Sequence, residues 1–174
     1  QVGVTSFAVL PASLGFWVER FLRYAVQHER LTRRQFGRDS ERVLAFRDPD
    51  GLLLELVAHP GAEGRPVWGD APGIGRDEAI RGFHAVTMWV EDGAPSERVL
   101  VESLGFRPVA EEEGIRRFES GDGGVGTFVN VRATGGFVSP LSGAGTVHHV
   151  AFRVPDDDAE MAVRERVIGA GLHP

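Results

Sequence analysis

No cysteine occurs among the 174 residues, which excludes disulfides, thiolate metal centres and cysteine nucleophiles and leaves His, Asp and Glu as the strong metal-binding side chains. Lysine is absent as well. All 19 basic residues are arginine, set against 25 acidic ones for a formal net charge of -6. No basic run is long enough to track a phosphate backbone, so nucleic acid is not an expected partner. Long apolar runs are missing too: no stretch approaches the roughly 18 to 20 uncharged residues that cross a bilayer, and QVGVTSFAVLPASLGFW carries no basic leader. The expectation is a cytoplasmic protein with no membrane partner. What is present, 42% hydrophobic and 25% charged residues, is enough to build a core in one ordinary domain or two small ones.

The chain reads as one pattern started three times. VGVTSFAV at 2–9 is rich in β-formers, and after Pro11 and Ser13 the residues Leu14, Trp17, Val18, Phe21 and Ala25 recur at helical spacing. RVLAF (42–46) and LLLELV (52–57) flank the tetrapeptide DPDG, a hairpin signal, and a less distinct strand is expected near 31–36. This makes 1–58 a β-α-β-β-β unit. Residues 59–80 are a linker, since 59–77 hold three prolines and five glycines, which sustain neither ladder nor helix. The pattern restarts over 81–133: FHAVTMWV, a helix from about Pro95 to Ser103, then GFRPVA, GIRRFES and VGTFVNVRA as strands. It starts again at 146–174, with TVHHVAFRV as a strand and a helix capped by Asp156 or Asp157 and running to about Gly169. One such unit normally buries its sheet face against a partner unit. The odd, truncated count therefore leads us to expect either an internal fragment of a longer protein or self-association, such as a homodimer.

Two strands share a histidine near their start and an acidic turn at their end, HAVTMWVED and HHVAFRVPDD. Two imidazoles with one carboxylate on one side of an ion suit Fe(II) or Mn(II) with positions left open for substrate and O2. Neighbours in a strand face opposite sides, so His148 and His149 are not expected to bind one ion together. Aligning the acidic turns without gaps matches His84 to His148, and a one-residue bulge matches it to His149.

GFHAVTMWVED, LGFRPV, GTVHHVAFRVPDD and DPDGLLLELV resemble the vicinal oxygen chelate superfamily, which includes glyoxalase I, bleomycin-resistance proteins and extradiol dioxygenases. IRGFHAVT followed by GAGTVHHVAFRVPDD is most similar to its four-unit members that cleave hydroquinone rings. The resemblance covers nearly the whole chain, as units two and three and the start of unit four. It implies an α+β fold of repeated β-α-β-β-β units, with antiparallel-rich mixed sheets curved into a half-barrel and helices outside. It also implies a dioxygenase that opens a small aromatic diol, a hydroquinone or catechol, with Fe(II) or Mn(II) and O2. Carried over by position, His84 and His149 are metal ligands, and His148 is the catalytic histidine that orients or protonates bound substrate and oxygen. The family's third ligand is a glutamate on the last strand of unit four, after the position where this chain ends at Pro174.

Glu55 in LLLELV stands where metal-binding units carry their carboxylate, but its own unit has no histidine near its start, which favours a structural role. His28, His59 and His173 read as solvated surface. GDGGVG (121–126) lacks the Lys and Ser/Thr of a phosphate loop and reads as a turn. Two other activities remain compatible with the same resemblance: a glyoxalase-like metal-dependent isomerase or lyase, and a metal-free binding protein of the bleomycin-resistance type.

Overall fold

The computed structural model describes residues 1–33, 41–69, 71–136, 146–147 and 149–173. The strands are β1 (Val2–Val9), β2 (His28–Arg33), β3 (Glu41–Arg47), β4 (Leu53–Ala58), β5 (Phe83–Val90), β6 (Arg107–Glu112), β7 (Ile115–Glu119) and β8 (Phe128–Ala133). The helices are α1 (Leu14–Arg23), α2 (Gly93–Arg98), continued by a π-helical stretch Val99–Ser103, and α3 (Asp157–Gly169). The strands form one sheet in the order β2-β3-β4-β1-β5-β8-β7-β6. Read from either end the order repeats itself, with β5 to β8 standing where β1 to β4 stand. Within each half the first strand pairs parallel with the last, β1 with β4 and β5 with β8. The halves join through the antiparallel pair β1–β5. This is the curled half-barrel of β-α-β-β-β units expected from the sequence.

Alternation decides which side chains enter the core. On the outer face Val9, Leu44 and Leu56 are buried beneath Trp17, Val18 and Phe21 of α1, and the Trp17 indole donates to the Glu78 carbonyl at 2.8 Å. In the other half Phe118, Val129 and Val131 pack against Leu100 and Phe106. Each cluster needs the amphipathic stripe of its own helix, so both outer faces are covered locally. The DPDG turn is built as its composition demands: Gly51 takes φ 90°, and the Asp48 carboxylate accepts from the Asp50 and Leu52 amides.

Two expectations shift. The indistinct strand expected near 31–36 lies at His28–Arg33, and 34–36 fall outside the described residues. The strand expected over 146–154 is not formed by the described residues there, although α3 follows with Asp156 as its N-cap, accepting from Ala159 N at 2.8 Å. The reason is the ladder. A first strand in this architecture pairs with the last strand of its own unit, and among the described residues no strand pairs with this segment.

Candidate functional site

His84 is brought inward by a break in register. Ser6 pairs with Ala85 and Phe7 with Phe83, so His84 is the extra residue opposite the Ser6–Phe7 step. A bulge of this kind re-aims a side chain that strict alternation would send outward. The His84 imidazole is fully buried, with ring centroids 5.3 Å from both Phe128 and His59. Its Nε2 lies 3.0 Å from Glu41 Oε1. Glu41 in turn accepts two bonds from the Arg117 guanidinium, at 2.6 Å to Oε1 and 3.2 Å to Oε2. Arg117 Nε donates to Asn130 Oδ1 at 2.9 Å, Asn130 Nδ2 donates to Thr87 Oγ1 at 3.1 Å, and the guanidinium lies over the Phe128 ring.

This chain of polar groups fills the middle of the cup. Glu41, Arg117, Asn130 and Thr87 are all buried. Burial pushes the Glu41 carboxyl up, but the hydrogen bonds from His84 and Arg117 and the arginine charge outweigh it and hold the group well below the usual carboxylate range. Glu41 is therefore ionised, and a carboxylate only accepts, so Nε2 carries the hydrogen of the His84 bond. The other nitrogen, His84 Nδ1, is buried with no hydrogen-bond partner.

Glu55, read from the sequence as a structural carboxylate, is buried on β4 and accepts from Ser6 Oγ at 2.7 Å. It lines an open cleft of about 790 Å³ on the concave face, together with Val4, Leu53, Thr87, Trp89 and Ile115. A second cavity, of about 350 Å³, is lined by both His84 and His149, with Phe83, Phe106, Phe128 and Phe152. His149 is exposed, and His148 lies outside the described residues. His59, read as solvated surface, is half-buried against His84, and its Nδ1 accepts from Gly61 N at 3.0 Å. His28 is half-buried too, with its ring against Phe21, while His173 is exposed as expected.

The donor chemistry can be set against a mononuclear ion. His84 presents a buried nitrogen without a partner and has its other nitrogen anchored on a carboxylate, an arrangement typical of metal-binding imidazoles. His149 lines the same cavity. Among the described residues no group of three His, Asp or Glu could hold an ion, and the cavity lined by His84 and His149 has no carboxylate in its lining.

The sequence reading missed Glu41, Arg117, Asn130 and Thr87. The available signal was an Arg at 117 and an Asn at 130 inside the otherwise β-forming runs IRRFE and FVNVR, at positions that face each other across the β7–β8 ladder.

No protein-family model matches the chain. It is 32% identical over 166 residues to a Bacillus subtilis protein named as the ring-cleaving dioxygenase MhqO, a match that takes in 92% of this chain and 49% of that protein. It is 26% identical over 177 residues to the chlorohydroquinone/hydroquinone 1,2-dioxygenase of Sphingobium indicum, covering 98% of this chain and 53% of that protein. A solved Bacillus subtilis structure described as a dioxygenase superposes with TM-score 0.82 at 30% identity, over 98% of this chain and 52% of that one. A variant of maize glyoxalase I shares the fold at TM-score 0.50 and 16% identity, over 75% of this chain and 42% of the maize chain. The chain spans about half the length of the curated relatives it matches. Among the described residues no helix is long and apolar enough to cross a membrane.

Proposed function

We propose that this chain, which belongs to the vicinal oxygen chelate superfamily, is part of a ring-cleaving dioxygenase of the extradiol type that acts on a hydroquinone or catechol. The observation that carries the reading is the match along nearly the whole chain to proteins named as ring-cleaving dioxygenases, together with TM-score 0.82 to a solved structure described as a dioxygenase. The cavity shared by His84 and His149 supports it in two ways. Its volume of about 350 Å³ lies within the range of small-molecule sites, and four phenylalanine rings line it, a surface suited to a planar aromatic diol.

In this proposal His84, through Nδ1, and His149 hold Fe(II) or Mn(II), with a third donor from outside the described residues. The bound ion supplies adjacent positions at which the diol and O2 meet. The phenylalanine walls orient the ring and exclude water, and His148 exchanges a proton with the substrate oxygen.

The test uses the full-length gene product. Oxygen uptake with hydroquinone or catechol is expected only after Fe(II) or Mn(II) loading. His84→Ala and His149→Ala should each lose the metal, whereas His148→Ala should keep it and lose turnover. Full metal content in His84→Ala would reject the ligand assignment, and metal-loaded protein that consumes no oxygen with any diol would reject the activity.

A further inference from the structure

The open cleft on the concave face is walled by both repeated halves of the sheet, and none of the residues lining it also lines the cavity of His84 and His149. We infer that this cleft is a second binding site, independent of any metal, for a small organic cation with an aromatic or apolar body. Glu55 receives the charged head and Trp89 carries the body.

The floor of the cleft is polar and enclosed. Strand pairing sets Glu55 of β4 level with Ser6 of β1 and Ala45 of β3, in one row across the sheet. The glutamate is buried and accepts from Ser6 Oγ at 2.7 Å, yet it lines the cleft. Thr87 and Asn130 complete the floor from the second half, both buried and bonded to each other at 3.1 Å. Above them the walls are apolar, with Val4, Leu31, Leu53, Ile115 and Trp89. A few fixed polar groups at the base of apolar walls, in a volume of about 790 Å³, is the make-up of a small-molecule site.

The lining also sets the sign of the ligand's charge. Its acids are Glu29, Asp48 and Glu55, and its basic residues are His28, Arg47 and Arg132. Arg47 donates to the Gly51 carbonyl at 2.6 Å, and His28 Nδ1 lies 3.0 Å from the Val26 carbonyl, so the backbone engages both. Arg132 is exposed, where water and salt screen it. Glu55 is thus the acid of the lining that is withdrawn from water, and it dominates the floor. An anion there would meet a poorly solvated like charge, whereas an ammonium brings donors to a group that accepts. Trp89 supplies the other half of the recognition. Three atoms of its indole lie 2.5 to 2.6 Å from where a β-carbon on Gly3 would stand, so the backbone supports the ring as a wall of the cleft. Indole is the strongest aromatic partner for a cation, and it also stacks on a planar ring.

The experiment is calorimetric titration of the full-length protein at neutral pH with phenethylamine, before and after treatment with a chelator. Binding with a Kd on the order of 0.1 mM is expected, within reach of so small a ligand, and the chelator should not change it. Phenethyl alcohol and phenylacetate keep the ring but replace the ammonium with a hydroxyl or a carboxylate, and each should bind roughly tenfold or more weakly. Glu55→Gln keeps an acceptor for Ser6 and removes the charge, so amine affinity should fall about 10- to 100-fold. Because a change at a buried acid can disturb folding, Ala45→Leu is the second variant. It fills the cleft beside Glu55 from the neighbouring strand, and should keep the circular dichroism of the natural protein and lose the amine. No heat from the amine, equal affinity for the alcohol or the carboxylate, loss of binding on chelation, or full amine affinity in Ala45→Leu would each overturn the inference. None of these outcomes bears on oxygen uptake with a diol, so the proposed dioxygenase activity stands or falls separately.

Discussion

Arg117 on β7 grips Glu41 on β3 although β4, β1, β5 and β8 lie between them in the sheet order. Only a strongly curled sheet lets these side chains meet, so the ion pair closes the cup from the inside. It also joins the two repeated halves. Arg117→Met would leave the Glu41 carboxylate buried with its main counter-charge gone. The expected loss is about 3–5 kcal/mol of unfolding free energy, measured by urea titration. Glu41→Gln/Arg117→Met should recover much of that loss, since the lone buried charge is then absent. A single Arg117→Met variant as stable as the natural chain would contradict the closure role.

The same pair sets an acid limit on stability. Glu41 ionises in the folded protein well below its unfolded value of about 4.3, so the unfolded chain binds the proton first as pH falls. Its stabilisation is fully present at neutral pH and is lost on acidification, beginning as the pH drops below about 5. Unfolding free energies of the natural chain and Glu41→Gln/Arg117→Gln, measured from pH 7 to pH 3, should therefore converge toward the acid end. A constant difference across that range would show that the pair makes no pH-linked contribution.

Most of the sheet was readable because its strands alternate, as in VGVTSFAV and FVNVRA, and because DPDG leaves few backbone choices. The cup interior was less readable. Glu41 opens its strand and Arg117 sits beside Arg116, positions where charge normally means solvent; only the curl of the sheet turns them toward each other. His84 was found as a histidine at a strand start, but its direction depends on a register break against Ser6 and Phe7 that no local propensity encodes. The described residues of TVHHVAFRV show the opposite failure. Their composition is that of a strand, yet a strand exists only with a ladder partner, and partner availability is not a property of the segment itself.

Gly3 and Trp89 form a second fit that composition does not announce. A β-carbon added at Gly3 would lie 2.5 Å from the Trp89 indole, so the ring rests directly on the glycine backbone, as one wall of the concave cleft. Gly3→Ala should displace the indole and cost about 1–3 kcal/mol, the usual penalty for overpacking. Tryptophan emission in a Trp68→Phe background, which removes the most exposed indole, should shift to longer wavelength as Trp89 moves toward water. Unaltered emission with unaltered stability would mean that the ring is not pinned there.

Helix α3 offers a contrast between local and global stability. None of its residues is buried, and the described side-chain bond from its body to the rest of the chain runs from Arg166 Nε to the Ser103 carbonyl, at 2.9 Å. Its own ends must therefore hold it. Asp156 accepts from Ala159 N, and Asp157, Asp158 and Glu160 place negative charge in the first turn, where the helix dipole favours it. Asp156→Ala removes the cap and should cost the helix about 1 kcal/mol. In this chain the amides of α3 should then exchange with solvent roughly fivefold faster, that energy expressed as an opening equilibrium. The amides of β1, β5 and β8 should keep their protection, because the sheet core does not rest on α3. Faster exchange in the sheet as well would show that α3 and the cup unfold as one unit.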